Sequence, residues 1–424
     1  MGTWPTTGSR PKSVSGTAVG IVLLAMLASA SLSWAGPTFT FTDIADTATV
    51  APGAGGDAFA TFGSPSISYG TVAFLGQTAL VQGIYTGAGS TPSLVANTTT
   101  AAPGGGTFTM FDLPTISAGT AAFVALPAGI YTGGGTLNAF ARAGSPAPGG
   151  GVFSSFGSLA SIDNAGTVAF RAVTDTGVSG IYTATPSGGS TLLSRLVASG
   201  DLAPSGGTFT SLDEPSIENG TAAFHAVTNT GVSGIYTATP SGGSTLLSRL
   251  VAVGDPASGG GTFTLLDDPS IDASGTVSFF ASTSLGTGIF IASSGGGLTI
   301  LAGTSTPIPG GAGDFTSFGN PAIDGDAVAF RGLGGAGQLG LYLAAGGELF
   351  KVVDLTDAVF GRTLEDIEFF NEGLSGNSLA FSAQFTDGSR AIVRADGTSA
   401  VPEPTTFALL GLGFAGLRFS RRKQ

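Results

Sequence analysis

Residue types able to carry a reaction are scarce in this chain, and most of them recur. There is no cysteine and one histidine among 424 residues. Thiolate nucleophiles, disulfides and Cys-ligated metals are therefore excluded, and a histidine metal site has little to draw on. Any Ser-His-Asp relay would have to use His225. That residue takes the place of Arg171 in the preceding repeat, beside a core phenylalanine, and no G-x-S-x-G turn is present, so it reads as a solvated strand residue. Carboxylates remain. They gather where glycine thins, at Asp354, Asp357, Glu365, Asp366, Glu368 and Glu372. Two of these, drawn from Glu365, Asp366 and Glu368 and set beside a glycosidic bond, could supply the acid and base of a hydrolysis. The same segment also reads as a drifted junction between repeats with a solvated acidic loop.

An active site usually breaks the symmetry of a repeat, whereas a structural residue recurs with it. Asp112, Asp213 and Asp267 precede Pro114, Pro215 and Pro269 at fixed distance and read as turn caps. Asp163, Glu218, Asp272 and Asp324 each follow a recurring isoleucine and read the same way. Asp201 and Asp255 sit in Gly-Asp turns that could hold Ca²⁺ with backbone carbonyls, but neither a D-x-D-x-D-G loop nor a G-G-x-G-x-D nonapeptide is present. The glycine-rich loops Pro103–Gly106 and Pro148–Gly151 lack the Lys-Ser/Thr of a phosphate-binding loop. No cofactor and no metal site are expected.

These residues are positioned by a repeated unit of roughly 50 residues. Val173–Ala198 and Val227–Ala252 are identical except that Asp175 becomes Asn229. Around this pair a looser frame, T-F-T-x-x-D-x-P-S-I, G-T-x-A-F, G-I-Y-T and L-V-x-x-G-D, runs the length of the chain. Its best ruler is the phenylalanine of the second segment, at Phe74, Phe123, Phe170, Phe224, Phe279, Phe330 and Phe381, in steps of 49, 47, 54, 55, 51 and 51 residues. Four short apolar segments per copy, with alternation and with Gly, Pro, Asp or Asn between them, match a four-stranded blade. Seven copies predict an all-β, seven-bladed propeller.

In the fourth copy the strands are expected at Thr208–Leu212, Thr221–Ala226, Gly234–Thr237 and Leu246–Val253. Pro215 stops the first of them, and Gly220, like Gly70, Gly119, Gly166 and Gly275, occupies a turn. The seventh copy has a third strand, Arg390–Arg394, and no outer one, while Thr38–Ala45 is an orphan strand before the first copy. The N-terminal segment is expected to complete the seventh blade and hide the open edges. Parallel β-helices or a row of sandwiches are the alternatives.

Charged residues make up 10% of the chain and glycine 71 of its residues. Because the apolar residues fall in short alternating runs, the glycines read as turns rather than as a flexible coil. Between Gly36 and Ala400 nine Lys and Arg face 26 Asp and Glu, a net −17. Phosphate backbones would be repelled, so nucleic acid is excluded as a partner.

The ends differ from the body. Arg10 and Lys12 precede an apolar run from Ala18 to Leu32, followed by Ser33-Trp34-Ala35 and Gly36-Pro37. This order predicts a signal peptide over 1–35 cut between Ala35 and Gly36, a retained anchor being the alternative. At the other end Val401-Pro402-Glu403-Pro404 leads into an apolar stretch, Thr405 to Leu417, closed by Arg418, Arg421, Arg422 and Lys423. Prolines end the strand before them, an apolar helix enters a bilayer and basic residues stay on its cytoplasmic side.

This tail, 399–424, resembles the PEP-CTERM sorting tail of Gram-negative bacteria, also known as the ice-binding-protein C-terminal domain. The resemblance implies a transient membrane helix and processing at Pro402-Glu403-Pro404 by an exosortase. It further implies export of the body, 36–398, to the envelope, the cell surface or extracellular polysaccharide. The body resembles bacterial propellers of uncharacterised function and lacks the WD40 and kelch signatures, so no ligand transfers to it. It is expected to be a binding scaffold for a polysaccharide or surface protein rather than an enzyme, with a carbohydrate-active hydrolase as the alternative. Ice binding is disfavoured, because T-F-T triplets spread around a ring form no flat ladder.

Overall fold

Each copy of the repeat folds into one sheet because its aromatic residues must be covered on both sides. In the fourth copy Phe209, Phe224 and Tyr236 come from successive strands and are all buried. Phe224 stacks on Tyr236 at 6.0 Å between centroids, and Phe209 meets Tyr236 edge-on at 5.1 Å. The same trio forms from Phe59, Phe74 and Tyr85 and from Phe315, Phe330 and Tyr342. Each such pair is worth about 0.5–1.5 kcal/mol beyond the area it buries. The trio packs against the preceding blade: Phe224 and Tyr236 share a core with Ala169 and Ile181. One sheet cannot bury its own aromatics, so blades stack until the stack closes.

A computed structural model describes residues 37–398 except 336. It contains seven antiparallel sheets and, among the described residues, no helix. The sheets are the seven expected blades of a propeller. The expected signal segment 1–35, its cut between Ala35 and Gly36, and the tail residues Val401, Pro402, Glu403, Pro404, Arg418, Arg421, Arg422 and Lys423 lie outside the described residues.

In the fourth blade the strands are Phe209–Leu212, Thr221–Thr228, Ser233–Ser241 and Ser244–Ala252. The inner strand does not end at Pro215. It resumes as Ser216–Glu218 and pairs again with Thr221–Thr228, so the Asp213-Glu214-Pro215 stretch is an interruption within one strand. The turn that follows has both residues at positive φ, Asn219 at 50° and Gly220 at 73°, the geometry a two-residue hairpin demands.

The seventh blade is ordered Phe39–Asp46, Arg390–Gly397, Ser378–Phe385, Arg362–Ser375. The N-terminal strand is therefore the outer strand of the last blade, paired from Phe39 with Gly397 to Asp46 with Ala391. Arg362 fixes the junction: it lies over the Phe385 ring at 4.2 Å and 3.6 Å from the Asp46 carboxylate. Arg394 ties the same blade to the first by donating to the Gly70 and Ala88 carbonyls at 2.6 and 3.0 Å.

Deleting Thr38–Ala45 exposes the edge of Arg390–Gly397 and uncovers the core around Ile44. The melting temperature should fall by about 10 °C or more; an unchanged melt in scanning calorimetry would mean that the ring does not depend on this strand.

Candidate functional site

At the centre of the ring the second halves of the inner strands converge. Their isoleucines, Ile67, Ile116, Ile162, Ile217, Ile271 and Ile323, with Leu374 from blade 7, line an axial channel of about 100 Å³. An inner strand has one edge with no ladder partner, so its amides need another acceptor. Hydroxyls from the neighbouring blade supply it. Ser66 Oγ accepts from Ile116 N at 3.1 Å, Ser161 from Ile217 N at 3.1 Å, Ser216 from Ile271 N at 3.4 Å and Ser270 from Ile323 N at 3.4 Å.

Blade 7 breaks this pattern. Phe369 pairs with Phe381 and Leu374 with Leu379, so the intervening residues 370–373 bulge out of the ladder toward the axis. Glu372 stands where five other blades have Pro65, Pro114, Pro215, Pro269 and Pro321. Its Oε1 accepts from Ser161 Oγ of blade 3 at 3.0 Å, and Asn371 Nδ2 donates to the Pro269 carbonyl of blade 5 at 3.5 Å. Two side chains of one blade thus span the axis. Gly373 permits the bulge, since a Cβ there would press on the Phe369 ring and the Phe370 carbonyl. Burial pushes the Glu372 carboxyl up to about 7, the Ser216 and Ser161 hydroxyls pull it down, and Glu218 pushes it up.

A second cavity, a vestibule of about 360 Å³, adjoins the plug that Asn371 and Glu372 form and is lined by Asp112, Glu214, Asp268, Phe369, Phe370 and Asn371 among others. Glu214 Oε1 accepts from Ser158 N at 3.2 Å and lies 3.9 Å from Arg171 Nη1, while its Oε2 is buried without a partner. The space for this carboxylate exists because residue 157 is glycine. Burial is the leading cause in raising Glu214 to about 7 and Asp268 to about 6, and it raises Asp112 as well. Asn371 is 7% exposed, and its Oδ1 has no partner.

His225 is not the solvated strand residue its sequence position suggests. Its side chain is 13% exposed; Nδ1 meets Asp213 Oδ2 at 2.6 Å and Nε2 meets Ser233 Oγ at 2.7 Å. The hydrogen bond from His225 is the main reason the Asp213 carboxyl titrates below its ordinary value. The order of groups is that of a nucleophile relay. Ser233, however, is a ladder residue opposite Val227 and lines neither the channel nor the vestibule. The chain of hydrogen bonds joins three strands of blade 4.

The recurring carboxylates divide. Asp163, Asp272, Asp201 and Asp255 accept backbone amides of their own turns, as expected of caps. Asp163 also accepts from Gly220 N of the next blade. Asp267 accepts from Asp268 N, Asp213 holds His225, and Asp112 faces the vestibule. Glu218 takes a hydrogen bond from Asn164 Nδ2, and Asp324 takes one from Gly376 N. Within the acidic segment Glu365 accepts from Gln384, Asp366 from Arg331 of blade 6 at 3.0 Å and Glu368 from Ser64 of blade 1 at 3.5 Å. None of these three lines either axial cavity; the member of the segment that reaches the axis is Glu372.

Between the ordinary value of 4.5 and about 7, folded Glu372 holds a proton that the unfolded chain has lost. Stability must therefore fall as pH rises through that window. Glu372→Gln removes the effect and should be more stable than the parent by roughly 3 kcal/mol at pH 8, with the gap closing toward pH 4.5. Denaturant melts showing a gap that does not change with pH would refute the assignment.

Residues 400–423 match the PEP-CTERM protein-sorting motif, a tail recognised by exosortase that marks an exported protein. Among solved structures, the chain is similar over 81% of its length to 99% of the β-propeller domain of the Trilobed protease from Pyrococcus furiosus, at 10% identity and a TM-score of 0.50. It is also similar over 80% of its length to a puromycin-hydrolyzing peptidase of Mycobacterium tuberculosis, at 13% identity and a TM-score of 0.49, and spans 52% of that chain. At 10% identity the likeness to the Trilobed protease propeller shows the fold alone. No curated protein matches this one. Residues 128–359, more than half of the chain, match a family whose description is "Family of unknown function", and the protein belongs to that family, DUF7453.

Proposed function

We propose that this exported propeller is a binding scaffold at the cell surface or in the extracellular matrix of a Gram-negative bacterium, released through processing at Pro402-Glu403-Pro404. The observation that carries this reading is a repeated surface. Six loops leading into inner strands are each pinned by a single β-bridge, Val50 with Ala58, Ala101 with Thr107, Pro146 with Val152, Leu202 with Thr208, Pro256 with Thr262 and Pro307 with Asp314. Glycine carries their tight bends; Gly259, Gly260 and Gly261 have φ of 91°, 102° and 76°. A ring of rigid, near-equivalent loops suits a polymer with repeating units, because each loop engaged raises the effective concentration for the next. A polysaccharide meets that description directly.

A pull-down of extracellular polysaccharide with the purified protein, followed by assay for new reducing ends, tests the reading. Retention without new ends is the expected result. Turnover that disappears in Glu368→Gln would instead establish a hydrolase built on Glu365, Asp366 and Glu368.

A further inference from the structure

The vestibule beside the axial plug is lined by three carboxylates, and two oxygens of its wall, Glu214 Oε2 and Asn371 Oδ1, have no donor. Asp112, Glu214 and Asp268 reach it from three different blades, and ionised carboxylates only accept. Asn371 adds one more acceptor: its amide nitrogen is committed to the Pro269 carbonyl, which leaves the buried Oδ1 as the free end. Glu214 is half used, with Oε1 on Ser158 N and Oε2 buried without a partner. Unpartnered buried acceptors are costly, and each is a place where a donor from outside gains free energy. Leu113, Leu159, Phe369 and Phe370 supply the apolar part of the wall, and Ser158 and Asn320 complete it. Charge is uneven as well: Asp213 and Asp267 stand behind the three lining acids, and the cation near them is Arg171.

From these observations we infer that the vestibule binds a small organic cation, a primary alkylammonium or alkylguanidinium ion. The charged end donates to Glu214 Oε2, Asp268 and Asn371 Oδ1, and the alkyl stem lies along Phe369 and Phe370. A guanidinium or ammonium head brings several N–H donors at once, and aromatic faces favour a cation beside them. A bare metal ion fits less well. Calcium wants six to eight oxygens around one point, whereas no three acidic side chains among the described residues converge closely enough to hold an ion. This site stands on the vestibule alone and does not need a polymer on the loop face.

Ionisation of the lining acids ties the affinity to pH. Glu214 faces Arg171, Asp213 and Asp268, and Asp268 faces Asp267, Asp213 and His225; they titrate near 7 and 6. Both are mainly protonated at pH 5.5 and ionised at pH 8, so the cation binds more tightly at the higher pH.

Isothermal titration of the purified protein with n-butylammonium and n-butylguanidinium chloride, and with n-butanol as the uncharged isostere, tests the inference. Binding of at least one cation at pH 8, roughly tenfold weaker in Glu214→Gln or Asp268→Asn, is expected from the loss of one charge-assisted hydrogen bond. Both substitutions remove a desolvated charge, so the variants should melt no lower than the parent at pH 8, which separates lost binding from lost folding. Four results would overturn the proposal: no heat with either cation up to 10 mM-scale ligand (about 3 kcal/mol of binding free energy), butanol binding as tightly as the cations, affinity indifferent to both substitutions, or affinity that does not rise between pH 5.5 and 8. Failure of the polysaccharide pull-down leaves each of these readouts unaffected.

Discussion

The whole molecule depends on a ladder between residues far apart in the chain, Phe39–Asp46 against Arg390–Gly397. Without it the first blade would present one unpacked face and the last blade one unpaired edge. The entropy of bringing such distant ends together grows only logarithmically, at about 0.6 kcal/mol for each doubling of loop length. The return is large. Ile44, Ala380 and Ile392 become a common core with Phe59, Phe74 and Tyr85 of the first blade, and Arg362 and Arg394 tie the seam with charge-assisted bonds. Closure also sets the radius of the ring, and the radius decides how close the inner strands come at the axis.

At the axis, seven strand edges meet with few donors and acceptors free to satisfy them. Six blades solve this with a serine or threonine hydroxyl or a turn residue offered to the neighbour. Blade 7 solves it by sending Asn371 and Glu372 across the channel, where Glu372 reaches blade 3 and Asn371 reaches blade 5. Asn371 lines both the narrow channel and the acidic vestibule. A scaffold made of near-identical units thus acquires one distinctive place, and it does so by a local bulge rather than by an added domain.

Much of the fold was legible in the chain because blades are local. A period near 50, an aromatic in each of the first three strands and a glycine at each hairpin are all short-range features, and they predicted the blade count and the closing strand. The inner strand is only half legible, since Pro215 stops the ladder and the chain then resumes it at Ser216. His225 differs from its sequence reading for a related reason: its counterpart in the duplicated blade is Arg171, which pairs with Glu214 of the next blade, while His225 finds Asp213 and Ser233 within its own. The signal that would have found the plug was present. Glu372 occupies the proline position of the frame, and a charged residue in place of a recurring proline is a break in symmetry.

By itself the sequence determined the repeat, its strand order, the closing of the ring and the sorting tail, because each rests on neighbours along the chain or on the periodicity of side chains. Only the tertiary structure decided which carboxylates are buried and which share a cavity. Ser161 and Glu372 are 211 residues apart and meet at 3.0 Å. Asp112, Glu214 and Asp268 share one cavity although each belongs to an ordinary-looking turn. A ring brings equivalent positions of all its blades to one axis, and no spacing along the chain records how deeply each is buried or what faces it there.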